Sequence, residues 1–126
     1  FKYPLCLTKS AIAWASIRGN LDVIMFVEEN TDIGFPQSCM DFASMYGHIE
    51  TLKWLNEKYP ETCTRYSLHF TISNNNIDIV DWLCKKRQDV ITLDVCKRAH
   101  QSAIMRNVKN IEKYLHTHII KIQSQS

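Results

Sequence analysis

Glycine is nearly missing from this chain: three residues in 126, with three prolines beside them. A loop that cradles phosphate through its backbone needs several glycines close together, so that class of nucleotide site is excluded. The glycine-framed nucleophile elbow and the zinc-protease helix motif are missing as well, and no catalytic role is expected. No apolar run exceeds a few residues, far short of the ~18 that cross a bilayer. The start, Phe1-Lys2-Tyr3-Pro4, lacks an apolar segment followed by a small-residue cleavage site, so no secretory signal is visible. It also lacks an initiator Met, and a fragment of a longer protein is expected. Cysteine is present without forming a framework. Cys6, Cys39, Cys63, Cys84 and Cys96 are odd in number and show no paired spacing. That pattern fits reduced thiols in a cytoplasmic, or alternatively nuclear, compartment.

What remains is ordinary in bulk and uneven in distribution. A chain of 126 residues suits one domain, and 45% hydrophobic with 22% charged residues is a globular composition. Residues 1–96 carry a formal charge of −3, and residues 97–126 carry +5. The basic end comprises Lys97, Arg98, Arg106, Lys109, Lys113 and Lys121.

The chain repeats. Four segments align on a two-residue break between short helical patterns: SAIAWASIRGNLDVIMFV (10–27), SCMDFASMYGHIETLKWL (38–55), YSLHFTISNNNIDIVDWL (66–83) and KRAHQSAIMRNVKNIEKY (97–114). Their steps are 28, 28 and 31 residues. Ala15, Ala43, Thr71 and Ser102 form a small column, as needed where helices approach closely. The break column is Gly19, Gly47, Asn75 and Arg106. Gly, and after it Asn, tolerates the left-handed conformation in which many helices end, and Arg106 departs from that rule. Asn20, His48, Asn76 and Asn107 then stand at the expected N-caps of the second helices. Asp22, Glu50 and Asp78 follow where a helix dipole favours an acid, with Lys109 as the fourth-copy exception. The second helices carry apolar residues at helical spacing: Leu21, Ile24 and Val27; Ile49, Leu52 and Leu55; Ile77, Val80 and Leu83; Val108, Ile111 and Tyr114. The last of these helices is expected to run to about Ile120 before the tail frays.

Other constellations are weaker. Phe26, Trp54 and Trp82 share a second-helix column, and packing of large side chains is favoured over an aromatic ladder for a partner. Cys63, Cys84 and Cys96 with His69 and His100 offer metal-ligand chemistry but no ligand spacing, so neither a metal nor a cofactor is expected. His116 and His118 should face different sides of a helix. Lys85-Lys86-Arg87 fits a helix end better than a localisation signal.

Gly47-His48-Ile49-Glu50, followed by Leu52-Lys53-Trp54-Leu55, resembles the G-H-x-E-x-x-K-x-L signature of ankyrin repeats. Leu68-His69 and Ala99-His100 sit where that family has the L-H of T-P-L-H, and Ser10 and Ser38 take its Thr position. The Pro is replaced by Ala11, Cys39, Ser67 and Arg98, and the repeats are shorter than the usual ~33 residues. The resemblance implies an all-α ankyrin-type solenoid of four helix-turn-helix pairs with reduced or absent β-hairpins. It would form a single domain over 1–126, with repeats at about 8–30, 36–59, 64–87 and 93–120. It also implies a protein–protein interaction module, monomeric or part of a longer array and not inserted in a membrane. Its partner would lie on a concave face at the variable positions Ala11, Arg18, Cys39, Tyr46, Ser67, Asn74, Arg98 and Met105. The alternative is an anionic partner, nucleic acid or an acidic surface, held by the basic C-terminal repeat, with nucleic acid the less favoured of the two.

Overall fold

The computed structural model of the chain describes residues 9–32, 34–36 and 38–125, with side chains from residue 11 onward. Ser10, the first residue of the first repeated segment, therefore lies outside the described side chains. Among the described residues there are eight α-helices and no strand, the all-α class expected. They are α1 (Lys9–Arg18), α2 (Leu21–Asn30), α3 (Cys39–Met45), α4 (Ile49–Lys58), α5 (Tyr66–Ser73), α6 (Ile77–Lys86), α7 (Leu93–Met105) and α8 (Lys109–Ser124). A short 3-10 helix, Pro60–Thr62, follows α4. The chain divides into two compact units, Phe1–Thr64 and Arg65–Ser126.

The break between α1 and α2 shows why so few glycines suffice. Gly19 has φ +68°, its N–H donates to the Ser16 carbonyl at 3.3 Å, and the Asn20 N–H donates to the Ala15 carbonyl at 2.9 Å. These are the two bonds of a Schellman ending, which uses the otherwise orphaned last carbonyls of a helix. The long bond recurs from His48 to Ala43 (2.9 Å), from Asn76 to Thr71 (3.4 Å) and from Val108 to Ala103 (3.0 Å). The left-handed residues at those breaks are Gly47 (φ +78°), Asn75 (φ +51°) and Asn107 (φ +60°).

This geometry corrects the fourth copy by one residue. Arg106 is the right-handed C-cap of α7, with φ −90°, and Asn107 is the left-handed residue. Ala103, fully buried, takes the small column in place of Ser102, and Val108 takes the N-cap in place of Asn107. The fourth copy is thus not an exception to the Gly/Asn rule. It obeys the rule one position later, and Leu115, not Tyr114, becomes its buried counterpart of Leu83.

Within the first unit, α1 packs on α2 and α3, and α3 on α4. Ile12, Ala15, Ile24, Val27, Met40, Ala43, Leu52 and Leu55 are buried there. The second-helix pairs Ile24/Val27 and Leu52/Leu55 are three apart, which places each pair on one helix face. Asn20 caps α2 as expected, its side-chain oxygen accepting from the Val23 N–H. His48 stands at the N-cap of α4 without a capping bond. Its Nε2 instead donates to the Ile17 carbonyl at 2.7 Å, tying α4 to the end of α1. The same imidazole lies over Gly19, where a Cβ would fall well inside van der Waals contact with the ring. Gly19 therefore answers two demands, a positive φ and a close approach. Trp54 packs beside Phe35 (5.9 Å between ring centres) and Tyr59 (6.3 Å), the packing role favoured for its column. The Thr64 hydroxyl reaches both carboxylate oxygens of buried Asp41, at 3.0 and 2.9 Å, and anchors the end of the unit to α3.

Within the second unit, α7 packs on α8 and α5, and α6 on α5 and α8. Leu68, Ile72, Ile79, Val80, Leu83, Ile91, Ala99, Ala103, Ile111 and Leu115 are buried. Asn76 and Thr92 cap α6 and α7 through their side chains. Lys85 and Lys86 close α6, where cations suit the dipole, but Arg87 turns inward and grips Asp89 with Nε and Nη2, each at 3.0 Å. The last helix continues to Ser124, beyond the expected stop near Ile120.

Candidate functional site

The residues predicted to meet a partner divide by helix face. Arg18, Tyr46 and Asn74 each stand immediately before a left-handed break, and all three are exposed. In the corrected register the fourth member of that set is Arg106, also exposed, whose Nη1 donates to the Ser73 hydroxyl at 2.8 Å. Met105 precedes it with 82% of its surface exposed. Arg98 is exposed and paired with Asp94 at 3.1 Å, an i,i+4 surface pair worth only a few tenths of a kcal/mol, ~0.3–0.5. Ala11 is half-buried.

Cys39 and Ser67 must be withdrawn from the predicted surface, because both are fully buried. The reason lies in helical spacing. Cys39 is four residues before Ala43 and Ser67 four before Thr71, so each shares the inward face of the small column. Burial pushes the Cys39 thiol up to about 11, against a hydrogen bond with Ser16 that works the other way. Such a thiol is a small core residue, not a contact or a nucleophile.

Other exposed side chains on the first helices were not singled out by the repeat pattern. Trp14 on α1 is 61% exposed, one turn from Arg18 and on the same face. Tyr66 at the start of α5 is 51% exposed, with the Arg65 guanidinium 5.0 Å from its ring centre. Of the large apolar side chains exposed among the described residues, Trp14, Tyr46, Tyr66, Ile104 and Met105 belong to first helices or their C-caps. Met25 and Ile120 alone lie on second helices. In the second unit, Arg65, Tyr66, His69, Asp94 and Arg98 contribute to a cleft of about 420 Å³. A large Trp at a first-helix position was the available signal for Trp14, since nothing in the small, repeated columns around it calls for that bulk.

The titratable groups gather elsewhere, between α6, α7 and α8. The Tyr114 hydroxyl donates to Asp81 at 2.7 Å, and Lys85 lies 3.1 Å from the same carboxylate. Tyr114 and then Lys85 hold the Asp81 carboxyl below its ordinary range against partial burial. Burial, then the hydrogen bond to Asp81, pushes the Tyr114 hydroxyl up. His118 is pulled down, first by burial and then by Lys121. Beside it stand Cys84 and Cys96, both fully buried. Their mutual hydrogen bond raises Cys84, with burial adding to the effect. The same bond lowers Cys96 against burial, so the pair releases one proton before the other. Of the sequence candidates for metal chemistry, Cys84 and Cys96 come together. Cys63 belongs to the other unit, and His69 and His100 are not in the cluster. His100 faces His116 instead, with ring centres 5.8 Å apart.

No family model, curated protein or solved structure matches the chain. No helix among the described residues is long and apolar enough to cross a membrane.

Proposed function

We propose that the chain is an ankyrin-type solenoid of four helix pairs and serves as a non-catalytic protein–protein interaction module. Its partner is held by the first helices, through Trp14, Arg18 and Tyr46 in the first unit and Tyr66, Arg98 and Met105 in the second. The observation that carries this reading is the asymmetry between the two kinds of helix. The second helices place their repeated apolar residues in the core, while the large exposed apolar side chains concentrate on the first. Trp, Tyr and Arg supply much of the energy at protein interfaces because they desolvate a large area at modest entropic cost. The ankyrin assignment itself is supported by the Gly47–Leu55 motif and by four breaks with matching hydrogen bonds.

The test is capture of binding proteins by the full chain, with bound proteins identified by cross-linking at the first helices. Trp14→Ala and Tyr46→Ala should each weaken a specific partner by about tenfold or more, an interface loss of roughly 1.4 kcal/mol or greater. Lys53→Ala, at an exposed position on α4, should leave it unchanged. Equal binding by all three variants would reject the proposed surface. A salt titration separates the electrostatic alternative. Binding that collapses between low and physiological salt, and that Lys97→Ala and Lys113→Ala weaken, would assign the partner to the basic fourth copy instead.

A further inference from the structure

We propose that the second unit holds a zinc ion on Cys84, Cys96 and His118, donors supplied by α6, α7 and α8. One ligand atom from each of these residues lies within 4.8 Å of the other two. Both sulfurs belong to fully buried residues, and the Nε2 of His118 is buried with no hydrogen-bond partner. An orphaned buried ring nitrogen has an energetic cost, and a metal bond would remove it. A tetrahedral zinc with Zn–S of ~2.3 Å and Zn–N of ~2.0–2.1 Å sets its donors roughly 3.5–3.8 Å apart. The three groups reach that spacing by contracting about an ångström, within the range of side-chain rotation.

Charge balance favours a divalent ion, and zinc is the divalent ion that tetrahedral thiolate–imidazole sites most commonly hold. Binding breaks both S–H bonds, forms two Zn–S bonds and one Zn–N bond, and releases two protons to solvent. The resulting dithiolate–imidazole zinc centre is neutral, as a buried site requires, whereas copper(I) would leave a net negative charge in the core. The donor set is also soft, which disfavours magnesium and calcium. Of the three donor residues, His118 alone lines the neighbouring cleft of about 550 Å³, beside Asp81 and Tyr114, so the fourth position of a tetrahedral ion would be filled from the His118 side.

The experiment uses the full chain, kept reduced and stripped of metal, with cobalt(II) as the optical probe. One equivalent of cobalt should produce thiolate-to-cobalt absorption with tetrahedral ligand-field bands, and one equivalent of zinc should abolish them. Two protons should be released per zinc bound, and the melting temperature should rise on zinc addition. Cys96→Ser and His118→Gln should each weaken zinc binding by more than about tenfold, while Cys63→Ser and His116→Gln should bind as the parent does. His118 is only half-buried, so the His118→Gln chain is the variant expected to keep its helical circular dichroism. Absence of the thiolate band in the folded parent would overturn the proposal. So would zinc binding that survives both Cys96→Ser and His118→Gln, or a Cys84–Cys96 pair that forms a disulfide readily but takes up no zinc.

Discussion

The two units end their first helices with the same hydrogen bonds but with different residues. The first unit uses Gly19 and Gly47, and the second uses Asn75 and Asn107. At Gly19 the His48 imidazole presses on the backbone, and no side chain fits. Asn75 and Asn107 are exposed, so a side chain is tolerated provided it accepts a positive φ, as Asn does better than most. What repeats is therefore a backbone conformation with its two bonds. At Gly19 the residue that fills it is fixed by the neighbouring side chain that covers the turn.

That difference predicts its largest effect at Gly19. Gly19→Val should cost about 3 kcal/mol, combining left-handed strain with the clash against His48, whereas Asn75→Ala should cost only about 1 kcal/mol. Urea midpoints of the two variants check this, and equal shifts would mean that the His48 contact contributes nothing.

The thiols divide the units in the same way. Cys39 is a buried thiol raised to about 11 in the folded chain, while Cys84 and Cys96 are hydrogen-bonded to each other. A raised folded value means that the stabilisation is complete below the ordinary thiol value of 9.0 and is lost as the pH rises towards about 11. The parent should thus lose stability over that window by an amount of order 2 kcal/mol relative to Cys39→Ala. Parallel stability curves for the two proteins would contradict the burial of this thiol. The N-caps give a smaller effect. Asn20→Ala and Asn76→Ala should each cost about 1 kcal/mol. Val108→Asn should gain a few tenths of a kcal/mol or more, about 0.5, by supplying the cap that the fourth copy lacks.

The all-α class, the breaks at 19, 47 and 75 and the caps at Asn20 and Asn76 were legible in the residues. Few side chains tolerate positive φ, and fewer still both end one helix and cap the next. The fourth copy was misread by one residue for the same reason. Asn serves as left-handed residue and as N-cap, so Asn107 fitted either column, and Ser102 beside Ala103 offered two small residues for one place. Cys39 and Ser67 were misplaced because failure to repeat is not exposure; an inward position also varies when its neighbours vary with it. His118 was invisible as a partner of Cys84 and Cys96 because three different helices carry these residues. No local spacing encodes that meeting.

One left-handed turn, recurring at steps of 28, 28 and then 32 residues, sets the frame of the chain. The most direct test compares Gly with Ala at the two adjacent positions of the fourth break, which removes the original side chain in every variant. At Asn107, Gly should be more stable than Ala by about 1 kcal/mol, because the residue is left-handed. At Arg106 the order should reverse, with Gly less stable than Ala by about 0.5–1 kcal/mol, because that residue still belongs to the helix end. Urea midpoints showing Gly preferred at 106 and disfavoured at 107 would place the break where Arg106 stands and contradict the register.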